Sequence, residues 1–378
     1  MTERMVKIII GSFAAGSALA AGFFMLATKL DAQAMPALAV VHPRRYVSEV
    51  KIVATETLAV EKEIQPVSTT PYEDFVAKID AYKQENTSTI SVQFFGDIML
   101  DRNVAKMMGK RGLDYLFEHI GPTSSKRLFG GADLLIANLE GPFATVRVPT
   151  SKSIAFRFDP ALALQLQTYG FDAFSLANNH TLDMGVKNVA FTQKILQQNE
   201  FGFFGYQTKE NDASWWVAEK GLSEKITFVG FNNTDHPLNM AGAKKVMDQA
   251  KAQARYVFVF MHWGDEYKRI SNQNQRTLAH WLIDNGATAV IGGHPHVIQE
   301  MEIYQGKPIY YSLGNFIFDQ YFSKETQQGI SVGFILQDGI IKEAQVFPFY
   351  SQKSQVYAMS SADRENFFSW FTSNSRLK

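Results

Sequence analysis

The chain contains no cysteine. That excludes a disulfide framework, a thiolate nucleophile, thiolate zinc sites and iron–sulfur clusters, so any bound metal must rest on imidazole, carboxylate and amide ligands. Neither sign of charge is in excess, since 37 Lys and Arg balance 37 Asp and Glu over 378 residues. A nucleic-acid-binding protein concentrates basic residues on one face or tail, so no nucleic-acid partner is expected. No fixed-period repeat and no low-complexity block interrupts the chain. With 46% hydrophobic and 20% charged residues it can bury a sizeable core, and neither wholesale disorder nor a multi-span membrane protein fits. Its length predicts two domains or one large one.

At the N-terminus, Arg4 and Lys7 precede an uncharged stretch from Ile8 to Ala27. A run of about 20 such residues can just span a bilayer, and the basic flank predicts a cytoplasmic start with the remainder exported. Residues 1–30 are read as a signal anchor or a signal peptide. Ala32-Gln33-Ala34 offers a cleavage site after Ala34, while the length of the apolar stretch favours an uncleaved anchor. The expected location is the cell membrane, single-pass, with the folded part extracytoplasmic, or secreted if cleaved. Residues 31–88, with Pro36, Pro43, Pro66, Pro71 and Ser68-Thr69-Thr70, read as a polar spacer in which only Tyr72 to Tyr82 has helical spacing.

From residue 90 strands and helices alternate. Short apolar runs at 90–95, 134–137, 173–177, 226–230, 256–261 and 287–291 end in or just before Gly, Asn or His, and read as strands. Segments 160–169, 186–199, 240–254 and 273–285 have helical patterning. The class is α/β. Runs 330–336 and 340–347 meet at Gln337-Asp338-Gly339 and predict a hairpin. The body is assigned to 89–350 and a tail with one short helix to 351–378.

In such architectures ligands collect at the carboxyl ends of strands, and this chain places its polar residues there. The strand ends carry Gly96-Asp97, Asn138-Leu139-Glu140, Asn178-Asn179-His180, His262 with Glu266 beyond it, His294-Pro295-His296, and Gly314-Asn315. Four of the eight histidines lie in these stretches. Imidazole with carboxylate and amide oxygen suits a divalent metal, Mn, Zn or Fe, as one or two ions. The His-Pro-His run is expected to be extended, which would put both imidazoles on one side. Each cluster alone could be a cap or a turn, but six at successive strand ends are not explained that way. His280 reads as a packed helix residue, and Trp263, Tyr267 and Phe316 as possible borders of a cleft.

The ordered set FFGDIMLDR, ANLEGP, SLANNHTLDMG, MHWGDEY, GGHPHVIQ and YYSLGNFIFD resembles the CapA/PgsA family of poly-γ-glutamate capsule synthesis proteins, a family similar to the calcineurin-like metallophosphoesterases. The resemblance covers roughly 90–350. It implies a four-layer α/β/β/α sandwich behind an N-terminal transmembrane or signal helix and spacer. It also implies a divalent-metal site, and partners that include membrane-bound polymer synthase subunits and an anionic γ-glutamyl polymer. Carried over by motif, the metal ligands are Asp97, Glu140, Asn179, His262, His294 and His296, and the catalytic acid is His180. Two positions depart from the phosphoesterase pattern: Met99 stands where a histidine ligand is usual, and Glu140 where the bridging residue is Asp. A mononuclear site therefore becomes credible, with Glu266 and Asn315 as further candidates. The expected function is metal-dependent hydrolysis in capsule biosynthesis. The alternatives are a non-catalytic scaffold or polymer-binding subunit of a membrane synthase, and an extracytoplasmic phosphoesterase unrelated to capsule.

Overall fold

Described by a computed structural model, residues 6–10, 50–54, 71–120, 131–206 and 214–377 form a mixed α/β structure with two sheets and flanking helices. In chain order the strands are β1 (Val6–Ile10), β2 (Val50–Ala54), β3 (Ile90–Ile98), β4 (Leu134–Leu139), β5 (Ala173–Ser175), β6 (Gly202–Phe204), β7 (Trp215–Ala218) and β8 (Ile226–Asn232). They continue as β9 (Tyr256–His262), β10 (Ala289–Gly293), β11 (Met301–Tyr304), β12 (Lys307–Tyr310), β13 (Asn315–Ile317), β14 (Gln328–Gln337), β15 (Ile340–Gln352) and β16 (Gln355–Ala358). One sheet runs β1-β2-β15-β14-β3-β4-β5-β6, with β13 beside β3 and β16 beside β15; the other runs β11-β12-β10-β9-β8-β7.

The central strands are buried on both faces, which requires a layer on each side of each sheet. Alternation supplies it. Phe94 of β3 points inward, its ring 5.1 Å from Phe258 and 5.9 Å from Phe228 of the second sheet, while Phe95 joins the outer cluster. Inward residues of both sheets make one core, including Val92, Ile136, Phe260 and Ile291. Outside the first sheet lie the helices Arg102–Met108, Leu162–Thr168 and Val186–Gln198. Outside the second lie Met240–Gln253 and Gln273–Asp284, which cover Val257, Val259 and Met261. Each fully buried Phe or Leu stabilises this arrangement by about 1.5–3 kcal/mol.

β3, β4, β5 and β6 are mutually parallel, as are β8, β9, β10 and β12, so the strand ends singled out above gather at one edge of each sheet. The Asp338-Gly339 turn has φ of 55° and 81° and joins Gln337 directly to Ile340, a two-residue hairpin loop with both central residues left-handed.

Two expected boundaries shift, and a third lies largely outside the described residues. The helix Pro71–Glu85 packs Phe75 and Ile79 against Ile335 and Phe347, so the later part of the 31–88 spacer belongs to the folded body. The 351–378 tail belongs to it too: β16 pairs with β15, and the helix Ser361–Asn374 puts Phe367, Phe368 and Phe371 into the inter-sheet core. Ile8–Ile10, the start of the apolar stretch read as an anchor, lies in β1, which pairs with β2; residues 11–30 lie outside the described residues. Among the described residues no helix is long and apolar enough to cross a membrane.

Candidate metal centre

Asp97 stands near the end of β3, flanked in register by Asn138 of β4 and Asn315 of β13. Glycine makes the packing around it possible: a Cβ on Gly96 would lie 1.9 Å from the Gly314 carbonyl oxygen, and one on Gly293 would lie 2.6 Å from Asp97 Oδ1. Asp97 is fully buried. Its Oδ1 accepts from Asn138 Nδ2 at 2.8 Å and its Oδ2 from the His294 backbone N–H at 3.1 Å. Burial pushes its carboxyl up to about 6, against the lowering effect of those bonds.

Glu140, one residue beyond β4, is also fully buried, and no N–H or hydroxyl group donates to either of its Oε atoms, which leaves the Asp97 carboxyl as the group near enough to share a proton with it. Its Oε1 lies 3.9 Å from His180 Nε2 and 3.8 Å from His296 Nε2. Burial, then the charges of Asp97, Glu266 and Asp183, hold its carboxyl well above the usual range. An unpartnered buried carboxylate costs about 1–3 kcal/mol or more, so a native chain keeps one for a purpose.

His262 ends β9, with Nε2 2.9 Å from Asn179 Oδ1 and Nδ1 3.4 Å from Asn138 Nδ2. One ligand atom each from Asp97, Glu140 and His262 lies within 4.8 Å of the others. The His262 and His294 rings are 4.9 Å apart, and those of His294 and His296 6.0 Å. His294 Nδ1 is buried without a partner. Burial and neighbouring imidazoles lower His262 well below its ordinary value and bring His294 down to about 4. His296 also falls to about 4, through burial with smaller contributions from His180 and Arg102. Neutral imidazoles beside orphaned carboxylate oxygens form a donor set that fits a divalent cation.

The His-Pro-His run reaches the site differently from expectation. His294 has φ of 93° and His296 of 56°, both in the left-handed region rather than extended. Such conformations are uncommon for non-glycine residues and persist where surrounding contacts over-determine them. Here His294 N–H is held by Asp97, and His296 Nδ1 meets Asn315 Oδ1 at 2.9 Å. Asn315 Nδ2 donates to His296 O, Gln320 Oε1 and Thr326 O, so this side chain orients His296 and anchors a loop. Glu266 is exposed and sits outside the buried cluster, acting on it through charge.

In the Asn-Asn-His run each residue has its own task. Asn178 is a bracket: Oδ1 accepts from His180 N–H and Thr181 Oγ1, and Nδ2 donates to Asn138 Oδ1 and Leu139 O. Asn179 turns to His262. His180 turns Nε2 towards Glu140, while its Nδ1 lies 2.6 Å from Asp183 Oδ2. Asp183, itself buried, also accepts from Phe156 N–H at 2.7 Å and Lys152 Nζ at 2.9 Å. Asn138 and Asp183 stand among the polar residues of the strand ends, but the sequence alone assigns neither a role; Asp183 follows His180 by three residues within one short turn.

Met99 is buried, and its Sδ accepts from Asp101 N–H, so it leaves the histidine place unfilled. Trp263 and Phe316 are core residues; Tyr267, 44% exposed, has its ring 6.2 Å from that of His296. His280 pairs with Glu302 at 2.8 Å and stacks on Tyr304, apart from the cluster.

Residues 91–320 match the family described as bacterial capsule synthesis protein PGA_cap, a span that holds every member of the cluster. The chain is 30% identical over 262 residues to the PGA biosynthesis protein CapA of Bacillus subtilis, covering 65% of this chain and 67% of that one. It is 27% identical over 305 residues to the capsule biosynthesis protein CapA of Bacillus anthracis, covering 75% and 73%. A solved structure of a hypothetical protein from Thermus thermophilus aligns with a TM-score of 0.45 at 17% identity, covering 70% of this chain and 100% of that one. By the extent of these matches, the chain belongs to the bacterial capsule synthesis protein family PGA_cap.

Proposed function

We propose that the chain is a metal-dependent hydrolase of capsule biosynthesis that cuts an anionic γ-linked glutamate chain outside the cytoplasmic membrane, beside membrane-bound synthase subunits. The observation that carries the reading is Glu140: a buried carboxylate with two unpartnered oxygens, faced by the Nε2 atoms of two histidines. Asp97, Glu140, Asn179, His262, His294 and His296 would hold one or two divalent ions, in a metallophosphoesterase-like sandwich. The cation, when bound, supplies Lewis acidity and acidifies water. The chain's own groups do the rest. Asp183 fixes the His180 ring through Nδ1, which leaves Nε2 turned towards Glu140 and placed to deliver a proton. In amide hydrolysis the water oxygen bonds to the acyl carbon and gives up a proton to solvent, the C–N bond breaks, and the His180 proton goes to the departing nitrogen, so one proton is released for the one delivered. Burial of the cluster strengthens each of these electrostatic contacts. The exported location rests on Arg4 and Lys7 ahead of the apolar stretch.

The test is turnover of γ-linked glutamate oligomers and of a generic phosphodiester by the metal-loaded chain. Turnover on the oligomers should vanish with chelator and fall about 10²- to 10⁴-fold in His180→Ala at unchanged metal content. A fully loaded chain that turns over neither substrate would be a scaffold. Turnover of the phosphodiester alone would make it a phosphoesterase unrelated to the polymer.

A further inference from the structure

Arg102 has features that the hydrolytic reading does not use. It is a non-glycine residue with φ of 52°, in the left-handed region, immediately after the buried Asp101. Such a backbone is retained where the contacts of the side chain hold it. One guanidinium nitrogen is paired with Asp319, whose side chain is 2% exposed and whose other oxygen accepts from Asn103 N–H. The guanidinium lies over Phe156 at 4.9 Å and Phe318 at 5.9 Å. These are the two rings that back the histidines facing Glu140: Phe156 is 4.1 Å from the His180 ring and Phe318 4.7 Å from that of His296. Arg102 Nε is buried and has no hydrogen-bond partner. Nearby cations are otherwise committed, Lys152 to Asn179 O and Asp183, and Arg147 to Asp101 and Ala155 O.

We propose that Arg102 is a substrate-positioning residue that binds a carboxylate on the leaving side of the bond to be cut. The inference rests on the hydrolytic reading above and narrows it. In a γ-linked glutamate chain every amide nitrogen is attached to a carbon that bears a free α-carboxylate. A group that grips this carboxylate one ring away from His180, across Phe156, therefore places the departing nitrogen near the proton donor. Arginine suits the task, because a planar guanidinium already pinned by Asp319 and two rings loses little freedom on meeting a carboxylate.

The experiment measures binding and turnover by the full, metal-loaded chain with three probes: a γ-linked glutamate oligomer, the same oligomer with its α-carboxylates amidated, and a phosphate monoester. The wild type should prefer the charged oligomer over its amide. Arg102→Gln should lose about ten- to hundredfold in affinity for the charged oligomer and little for the amide at unchanged metal content, both read on the folded fraction because the buried Asp319 loses its partner and the melting temperature falls. Arg102→Lys should recover part of the preference, and Asp319→Asn, which unpins the guanidinium, should weaken it. A merely structural role for Arg102 would change both oligomers alike. Undiminished discrimination in Arg102→Gln overturns the proposal. A wild type that prefers the phosphate monoester, with the preference lost in Arg102→Gln, keeps Arg102 as the anion contact and sinks the glutamate chain as substrate. A wild type that binds charged and amidated oligomers equally, and no phosphate, sinks both.

Discussion

Glu140 sets the balance between stability and function at the scale of single residues. Its carboxyl is buried, unpartnered, and close enough to Asp97 for like charges to repel. Replacing it by Gln removes the charge while keeping the shape. Glu140→Gln should melt at or above the temperature of the wild type when both are metal-free, and should retain far less metal, because losing one of a few ligands weakens a site sharply. Differential scanning calorimetry and elemental analysis on the same preparations decide it. A metal-free Glu140→Gln that melts several degrees lower would mean that an unseen partner already satisfies the carboxylate. Asp97, Glu140, His262 and the histidine pair were legible because they close strand runs, where a polar residue stands out against apolar neighbours. The tasks of Asn138 and Asp183 were not, since a polar residue at a strand end or in a turn has an ordinary local explanation, and only the fold brings Asn138 to Asp97 and Asp183 to His180.

Among the elements, those with local determinants were the readable ones. The hairpin at Asp338-Gly339 was visible because a two-residue loop with both φ positive demands that turn chemistry. The helix Gln273–Asp284 is fixed by its own capping box, Asn272 with Gln275. The helix Pro71–Glu85 shows the limit. Its apolar spacing was plain, yet the surface that it covers, Ile335 and Phe347, comes from strands far along the chain, so nothing local distinguished it from a spacer. Phe75 is 0% exposed, its ring 5.3 Å from Phe347. A fragment starting at residue 89 loses this cover and should be less stable than one starting at 71 by about 3–5 kcal/mol, the usual range for truncating a buried Phe. Urea unfolding of the two fragments, with Phe75→Ala in the longer one, measures it. Equal midpoints for both fragments would show the helix to be dispensable.

For the whole molecule, the cluster joins the two sheets. Asp97, Glu140, Asn179 and His180 come from the first, and His262, His294 and His296 from the second. A cation held between them would bridge both sides, and its binding free energy would add to the stability of the complete sandwich. Metal at about a hundred times its dissociation constant adds roughly 2.7 kcal/mol, which at about 2–4 °C per kcal/mol raises the melting temperature by about 5–10 °C. The pH dependence follows from protons competing with the cation. Asp97, raised to about 6, holds its proton below that pH and releases it above. His294 and His296, lowered to about 4, are already neutral well below pH 6 and do not limit binding there. The two shifts act oppositely on the metal-free chain. Stability contributed by the raised Asp97 is present below its unfolded value and lost as pH rises through about 6; that contributed by the lowered histidines is present above their unfolded value and lost as pH falls towards about 4. The gap between metal-loaded and metal-free melting temperatures removes this background. It should be small at pH 5, open through pH 6 as Asp97 gives up its proton, and widen further as Glu140, whose carboxyl is also raised by burial, loses its own, over a single cooperative transition. A gap of equal size at pH 5 and pH 7 would mean that Asp97 is not a ligand. A second transition indifferent to metal would mean that the ion does not join the two sheets.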